Sequence, residues 1–326
     1  MAVDPVPAVI HGAKHSADVF RQWIHDSTSG GEGISSPTGL RVRATQTPSN
    51  QVRVAPGGVI IPNSYSGGDG QSYTGRNASE TLVSVPASDS TGAKSWKIIF
   101  RVQDPQFGGP APADPLVGPY AFIECVSASA TVTDPHYVLA NVTVPASTAT
   151  ITGSMITDVR EVANPLILPV NRSSALNLED VETLTSTTTG ERFPNGGGLQ
   201  TIDIPKWATR VIIEAEWLMI NEPAGEAYGG CWVEWGPLKP GTTTEREYTT
   251  QRYLWNTPGS SGSTRNTWKV TDDMYVPASV RGTTQPFSMR ARLRYYQNNA
   301  ARPQMDQHSG IIFKATFLQV ADKSSS

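Results

Sequence analysis

Cysteine, charge and long apolar runs are all scarce in this sequence. Two cysteines in 326 residues cannot form a disulfide framework. Charged residues make up 17% of the chain, against about 25% in an average globular protein. Such a composition excludes long helices and coiled coils, which need Ala, Glu, Lys, Leu and Arg. No apolar run approaches the roughly 18 residues that cross a bilayer, so membrane insertion is not expected.

An excess of charge of either sign is missing as well. Lys and Arg number 26, and Asp and Glu number 29, which gives a net charge of −3. Nucleic acid is therefore not an expected partner, because binding its phosphates needs a basic face. The first ten residues hold no basic stretch ahead of an apolar one. No signal peptide is expected, and the chain is predicted to be made and assembled in the cytoplasm.

Cofactor motifs are also lacking. The sequence contains no phosphate-binding Gly-rich loop, no dinucleotide fingerprint and no His-Glu-x-x-His. His11 and His15 are four residues apart, as two metal ligands on one helix would be, but no third ligand lies nearby. We therefore expect neither a cofactor nor a metal.

Glycine and proline are abundant instead, with 29 and 25 residues. From about residue 34, apolar and polar residues alternate with a period of two, as at Val52, Arg53 and Val54. This pattern predicts a mainly β protein. We place an N-terminal segment with a short amphipathic helix at 1–31, a β-rich docking module at 32–165 and a linker at 166–192. An antiparallel, jelly-roll-like β-sandwich follows at 193–326.

One segment near the N-terminus has a helical period instead. Ser16 is placed to cap it, and Asp18 lies in its first turn. Phe20, Trp23 and Ile24 recur at helical spacing. A helix this short is not stable alone, so its apolar stripe must pack on a sheet or on a neighbouring chain. We predict that Phe20, Trp23 and Ile24 are docking or oligomer contacts.

Tryptophan is concentrated in the second half, where six of the eight residues lie between positions 207 and 268. Alternation assigns Trp217 and Trp235 to the sandwich core, and Met219 to the same face as Trp217. Two interpretations remain open for the rest: core packing, or a surface for sugar or protein, since a flat ring buries much area at little entropic cost. The predicted contact residues are Trp232, Tyr253, Trp255 and Trp268.

Paired carboxylates offer the nearest approach to a catalytic motif. Glu214 and Glu216 share one face of a predicted strand, and glycoside hydrolysis needs two carboxylates about 5–10 Å apart. Any two residues with this spacing on a strand meet that requirement. Arg290, Arg292 and Arg294 form a matching basic row, so cross-strand ion pairs are the stronger interpretation. No enzymatic activity is expected.

Residues 36–61 and 137–160 carry a loose string of motifs, among them Ser36-Pro-Thr-Gly-Leu-Arg41 and Met155-Ile-Thr-Asp-Val-Arg160. With the short helix before them, these stretches resemble minor tail and baseplate proteins of long-tailed phages, especially phages of actinobacteria. The resemblance covers about the first half of the chain. It implies a β-rich module that docks into the tail tip, usually as a homotrimer. By analogy of architecture, the second half would bind the host surface or a neighbouring tail protein.

The sequence thus predicts a structural tail-tip, baseplate or tail-fibre protein of the virion, with other copies of itself and other tail proteins as partners. Its C-terminal sandwich is expected to contact host cell-wall carbohydrate through weak sites that act together. Two alternatives stay open. One is a purely structural bridging protein without host contact, and the other is a wall-degrading glycoside hydrolase that uses Glu214 or Glu216.

Overall fold

The period-two alternation of the sequence becomes antiparallel strand pairing along most of the chain. A computed structural model describes residues 10–175, 181–257, 259 and 261–322. The protein is mainly β, with one N-terminal helix and several antiparallel sheets in a sandwich-like arrangement, which confirms the predicted fold class. The chain divides into two units: unit 1 is Met1–Pro165 with Val320–Ser326, and unit 2 is Leu166–Gln319. None of the described helices is long and apolar enough to span a membrane.

Among its described residues, unit 1 contains the helix and ten strands. The helix α1 spans Ala17–Ser27, and the Ser16 hydroxyl accepts a hydrogen bond from Val19 N, as the capping pattern predicts. The strands are β1 (Gly33–Ile34), β2 (Val42–Ala44), β3 (Gln51–Val54), β4 (Gly57–Pro62), β5 (Ser72–Asn77), β6 (Thr81–Ser84), β7 (Lys94–Val102), β8 (Ala121–Ser127), β9 (His136–Val144) and β10 (Ile156–Asp158). They form three sheets, with the orders β1-β4-β5, β2-β3-β6 and β10-β9-β7-β8.

The core of unit 1 includes a residue from near the C-terminus, Ala321. Its interior consists of buried apolar side chains, most of them from the three sheets, with Ala321 packed among them. The backbone N–H of Asp322 donates to the carbonyl of Pro37 over 2.9 Å. Arg160 is fully buried, donates to the carbonyls of Gly39 and Asp322, and pairs with Asp158 at 2.6 Å. Unit 2 is therefore an insertion between residues 165 and 320 of unit 1.

Unit 2 contains twelve strands in the described residues. They are β11 (Ile167–Ala175), β12 (Glu182–Thr183), β13 (Glu191–Arg192), β14 (Leu199–Asp203), β15 (Arg210–Glu222), β16 (Ala227–Leu238), β17 (Arg246–Thr249), β18 (Tyr253–Asn256), β19 (Thr264–Tyr275), β20 (Thr284–Tyr296), β21 (Gln304–Met305) and β22 (Gly310–Leu318). One sheet has the order β11-β22-β15-β21-β12, with β19 also on β15. The second has the order β13-β20-β16-β17, with β14 on β20 and β18 on β16. In the described part of the two units, short 3₁₀ helices lie at Pro105–Phe107, Gly153–Met155, Ala278–Val280 and Asn299–Ala301.

The two sheets of unit 2 pack face to face through aromatic rings. Trp217 is fully buried on β15, and Trp235 is fully buried on β16, as alternation predicts. Phe287 on β20 stacks on Trp235 with ring centroids 5.2 Å apart, and it contacts Phe313 of the opposite sheet at 5.6 Å. Aromatic pairs of this kind add about 0.5–1.5 kcal/mol beyond the area they bury.

The structure differs from the sequence prediction at Met219. This residue lies on the exposed side of β15 with a positive φ of 55°, and Ile220 is buried instead. The register of β15 against β19 shifts between Trp217 and Ile220. A β-bulge inserts one residue and reverses the faces beyond it, so strict alternation assigns Met219 to the wrong side.

Part of the predicted linker at 166–192 is also a strand. β11 pairs with β22 along nine residues, from Ile167 with Leu318 to Ala175 with Gly310, and it forms an edge of the first sheet. Pro169 argues against a strand in the sequence, because proline has no N–H to donate to a neighbouring strand. An edge strand tolerates proline where the missing N–H would face outward. Residues 176–180 of that linker lie outside the described residues, as do residues 1–9 and 323–326.

Candidate docking and contact surfaces

Helix α1 is held to unit 1 by a charged residue instead of its apolar stripe. Of its eleven residues, all of them described, Arg21 alone is buried. The Arg21 guanidinium donates to Gln71 at 2.6 Å, to Asp104 at 3.1 Å and to Gln106 at 2.7 Å. It also pairs with Asp18, one turn earlier, at 2.5 Å. Charge-assisted bonds of this kind are roughly twice as strong as neutral ones.

Aromatic rings and a carboxylate complete the surroundings of Arg21. The guanidinium carbon lies 5.1 Å from the ring centroid of Phe107 and 5.7 Å from that of Tyr73. Burial alone would raise the pKa of Asp18, but hydrogen bonds from Arg21 and Gln106 outweigh it, and the pKa is lowered. The carboxylate therefore stays charged near neutral pH, which keeps the helix anchored.

Two of the three predicted docking residues point away from this anchor. Phe20 is 40% exposed and Trp23 is 56% exposed, whereas Ile24 is half-buried. Arg21, and not these two rings, is the residue of the helix that is buried against unit 1. Large aromatic side chains are common among the residues that contribute most to protein–protein binding, so exposed rings on a fixed helix suit an interface.

The Pro/Gly-rich loop after β7 carries a second exposed apolar site in unit 1. Leu116 and Val117 project almost fully into solvent. The Asp114 carboxylate accepts from Leu116 N at 2.9 Å, and the Tyr120 hydroxyl donates to the Pro115 carbonyl at 2.7 Å. These bonds fix the turn that presents the two side chains.

Two of the predicted contact tryptophans lie in the interior of unit 2. Trp255 is 6% exposed and Trp268 is 4% exposed, and their rings stack with centroids 4.4 Å apart. Gly229 faces this pair on β16, where a Cβ atom would lie only 2.4 Å from Trp255 Cζ2. The interpretation of Trp255 and Trp268 as surface contacts is wrong, because β18 and β19 turn both rings toward the core.

A buried carboxylate lies beside this stacked pair. Glu222, at the end of β15, accepts a hydrogen bond from Trp268 Nε1 at 3.2 Å. Burial raises the pKa of Glu222, and the bond from Trp268 opposes that rise only in part. The indole of Trp268 therefore has two roles in the interior: its ring packs against Trp255, and its N–H donates a hydrogen bond to Glu222.

Trp232 faces outward, as alternation predicts, and is nevertheless fully buried. Gly190 lies against its six-membered ring, and the Arg252 guanidinium carbon lies 4.4 Å from the ring centroid. Its Nε1 donates to Glu234 at 2.8 Å. The prediction of Trp232 as a contact residue is therefore also wrong, because a chain segment before β13 covers it. Tyr253 alone of the four keeps a partly exposed ring, and its hydroxyl donates to the Thr271 carbonyl at 2.8 Å.

The sequence prediction missed the residues that unit 2 exposes on the same sheet. Tyr228 on β16 and Tyr295 on β20 are both exposed, and their rings stack at 5.5 Å. Leu254 on β18 is 71% exposed and lies beside Gly230. We call Tyr228, Leu254 and Tyr295 the tyrosine patch. Alternation from the buried Cys231 places Tyr228 on the outward face, so the sequence does carry a signal for Tyr228.

The paired carboxylates find lysine partners, not the predicted arginines. Glu214 contacts Lys314 at 2.9 Å, and Glu216 contacts Lys269 at 2.9 Å. The arginine row lies on β20 of the other sheet, where Arg290 contacts the buried Glu234 at 3.6 Å. Ion pairing itself was expected, but alternation cannot show which strands are neighbours.

Comparison with known proteins gives no family. No family model matches the sequence, and no curated protein matches it. Among solved structures, the chain is similar to the infectious bursal disease virus VP2 subviral particle, with 12% identity and a TM-score of 0.26 over 92% of this chain and 76% of that one. The stem and receptor-binding domain of spike protein P1 from bacteriophage PM2 gives 10% identity and a TM-score of 0.22, over 72% of this chain and 94% of that one.

A chain of the entire lipid-containing bacteriophage PM2 gives 7% identity and a TM-score of 0.23, over 87% of this chain and 98% of that one. All three are structures of viral proteins or particles. Similarity at this level carries no information on what the chain described here binds or where it acts.

Proposed function

We propose that the chain is a non-enzymatic structural protein of a virus particle, a component of a phage tail tip, that assembles through unit 1. The supporting observation is the exposed pair Phe20 and Trp23 on a helix anchored by Arg21. Because the anchor is polar, the aromatic face is left for another chain. The resemblance of residues 36–61 and 137–160 to tail proteins indicates the setting and a homotrimer as the assembly.

The oligomeric state tests this proposal directly. We expect the purified chain to have the mass of a trimer by native mass spectrometry, and the double variant Phe20→Ser/Trp23→Ser to be a monomer. Hot-spot aromatic residues each contribute about 2 kcal/mol or more, so losing two disrupts a weak assembly. Leu82→Ser is the matched control, since Leu82 is an equally exposed apolar residue of β6. A monomeric wild type, or a double variant that stays trimeric, would contradict the docking role of α1.

We further propose that unit 2 is the contact half and that it uses the tyrosine patch on host cell-wall carbohydrate. Stacked, exposed tyrosine rings suit the apolar faces of sugars. Each site is weak, and a trimer would multiply the affinity through simultaneous engagement. The purely structural alternative lacks this contact, which makes the two proposals separable.

Binding of the full chain to purified host cell wall is expected to fall at least about tenfold on Tyr228→Ala, since stacking on an aromatic ring contributes about 1 kcal/mol or more per subunit and the trimer compounds it. Tyr275→Ala, an exposed tyrosine on β19 of the other sheet, is the control and should bind as wild type does. Sedimentation with wall fragments measures both. No binding by the wild type would favour the bridging protein without host contact, and release of soluble sugar would indicate the hydrolase.

A further inference from the structure

The outer face of the β2–β3 hairpin carries arginines where the inner face carries valines. Val42, Val52 and Val54 point into the core of unit 1 and are buried. Arg43 on β2 and Arg53 on β3 alternate with them and are direct partners in the strand register. Residues directly opposite in an antiparallel pair have Cβ atoms about 4.5–5.5 Å apart, and like charges at that position are destabilising.

The nearby groups offset this repulsion only weakly. Glu80 is a carboxylate on this face. Its Oε2 lies 3.8 Å from Arg53 Nη1, and half of its side chain is exposed to solvent. Exposed pairs of this kind contribute about 0–1 kcal/mol. The Arg53 Nε donates to the Ala44 carbonyl at 3.1 Å, which fixes the side chain in place. Within the described residues, Arg43 makes neither a hydrogen bond nor an ion pair.

These side chains line a cavity of about 210 Å³. Its wall also includes Thr38, Arg41 and Ala55. The lining holds three guanidinium groups and one carboxylate. Burial and the neighbouring charge of Arg43 lower the pKa of Arg41, while Asp158 and Asp322 act on it in the opposite direction.

We propose that this arginine cavity, lined by Thr38, Arg41, Arg43, Arg53, Ala55 and Glu80, binds a multivalent oxyanion of the phosphate class. A guanidinium group donates two parallel hydrogen bonds to such an anion, and a phosphate can accept from several arginines at once. The hydroxyl of Thr38 adds a neutral donor to the wall. An anion bound between Arg43 and Arg53 would attract both guanidinium groups, which otherwise repel each other. It would thereby link the side chains of β2 and β3. The site is independent of the docking role of α1 and of the tyrosine patch.

Inorganic phosphate is the probe that tests the cavity. In the full chain at constant ionic strength, with chloride as the balancing salt, we expect calorimetry to show saturable phosphate binding. Phosphate should also raise the thermal unfolding midpoint of unit 1, because a ligand that binds only the folded state stabilises it. Arg43→Gln should weaken phosphate binding about tenfold, the factor that about 1.4 kcal/mol of lost contact produces.

The same substitution should raise the unfolding midpoint in phosphate-free buffer, because it removes the charge opposite Arg53. Arg76→Gln is the control, since Arg76 is an exposed arginine of β5 outside the cavity, and the charge change is identical. Arg53→Gln is a second variant with the same expected loss of binding. The proposal is overturned if phosphate binding is not saturable, or if Arg43→Gln and Arg53→Gln bind phosphate as tightly as Arg76→Gln does.

Discussion

Replacing Arg160 by alanine is expected to destabilise unit 1 by about 3–5 kcal/mol, the usual cost of removing one partner from a buried ion pair. Arg160 is fully buried, and its loss removes the guanidinium that donates to the carbonyls of Gly39 and Asp322. It also leaves the Asp158 carboxylate without its cation. Because Asp322 follows unit 2 in sequence, this side chain helps to join the two separated pieces of unit 1, together with the bond from Asp322 N to Pro37 and the packing of Ala321.

Hydrogen exchange resolved by peptide is the appropriate measurement, since it reports the two units separately. In Arg160→Ala, the strands β3, β4 and β9 should lose protection while β15 and β16 keep it. Arg160→Lys should fall between wild type and alanine, because lysine keeps the charge but not the planar fork of donors. Arg76→Ala serves as the exposed control. A loss of stability below about 1 kcal/mol would show that the buried arginine is not what joins the two pieces.

Replacing Trp268 by alanine is expected to destabilise unit 2 by about 3–5 kcal/mol, the range measured for large-to-small changes at buried aromatic residues. The indole fills the interior against Trp255 and donates to the buried Glu222. Its removal creates a cavity and takes a hydrogen bond from a desolvated carboxyl group, and the two costs add. If Trp268 were a surface contact residue, the same change would leave stability almost unaltered.

Denaturant unfolding followed by tryptophan fluorescence measures this effect, and Leu254→Ala is the matched control. Leu254 is 71% exposed, and its truncation should change stability by no more than about 0.5 kcal/mol. Carbohydrate binding by Trp268→Ala should decline only in proportion to the unfolded fraction. Full stability of this variant together with lost binding would restore the surface interpretation.

The spacing of apolar residues in the sequence predicted helices and strands well where one face of the element is buried along its whole length and the other is exposed. Ser16 and the apolar spacing after it located α1, and the alternation around Val52 and Val54 located β3. Trp217 and Trp235 were assigned to the core for the same reason. In each case the side-chain period reports the backbone geometry, which depends only on near neighbours in sequence.

The same spacing predicted the burial of a side chain wrongly where a segment distant in sequence covers it or where a bulge reverses the strand. The partners that bury Arg21 come from residues 71, 104 and 106, so the helical stripe alone could not show that the charged residue is the anchor. Trp232 lies on the predicted outer face, and it is buried because Gly190 and Arg252 cover it. Met219 is exposed because a bulge reverses the faces of β15.

The sequence by itself determined a mainly β protein with one short helix, low charge and its tryptophans gathered in the second half. The tertiary structure alone decided which side chains stay exposed: it buries Trp255 and Trp268, exposes the tyrosine patch on unit 2 and places the arginine cavity on the outer face of the β2–β3 hairpin. The physical reason is that burial depends on every segment packed against a residue. Strands such as β11 and β22 pair although they are about 140 residues apart in the chain, and the residues near either strand in sequence do not indicate which strand is its partner.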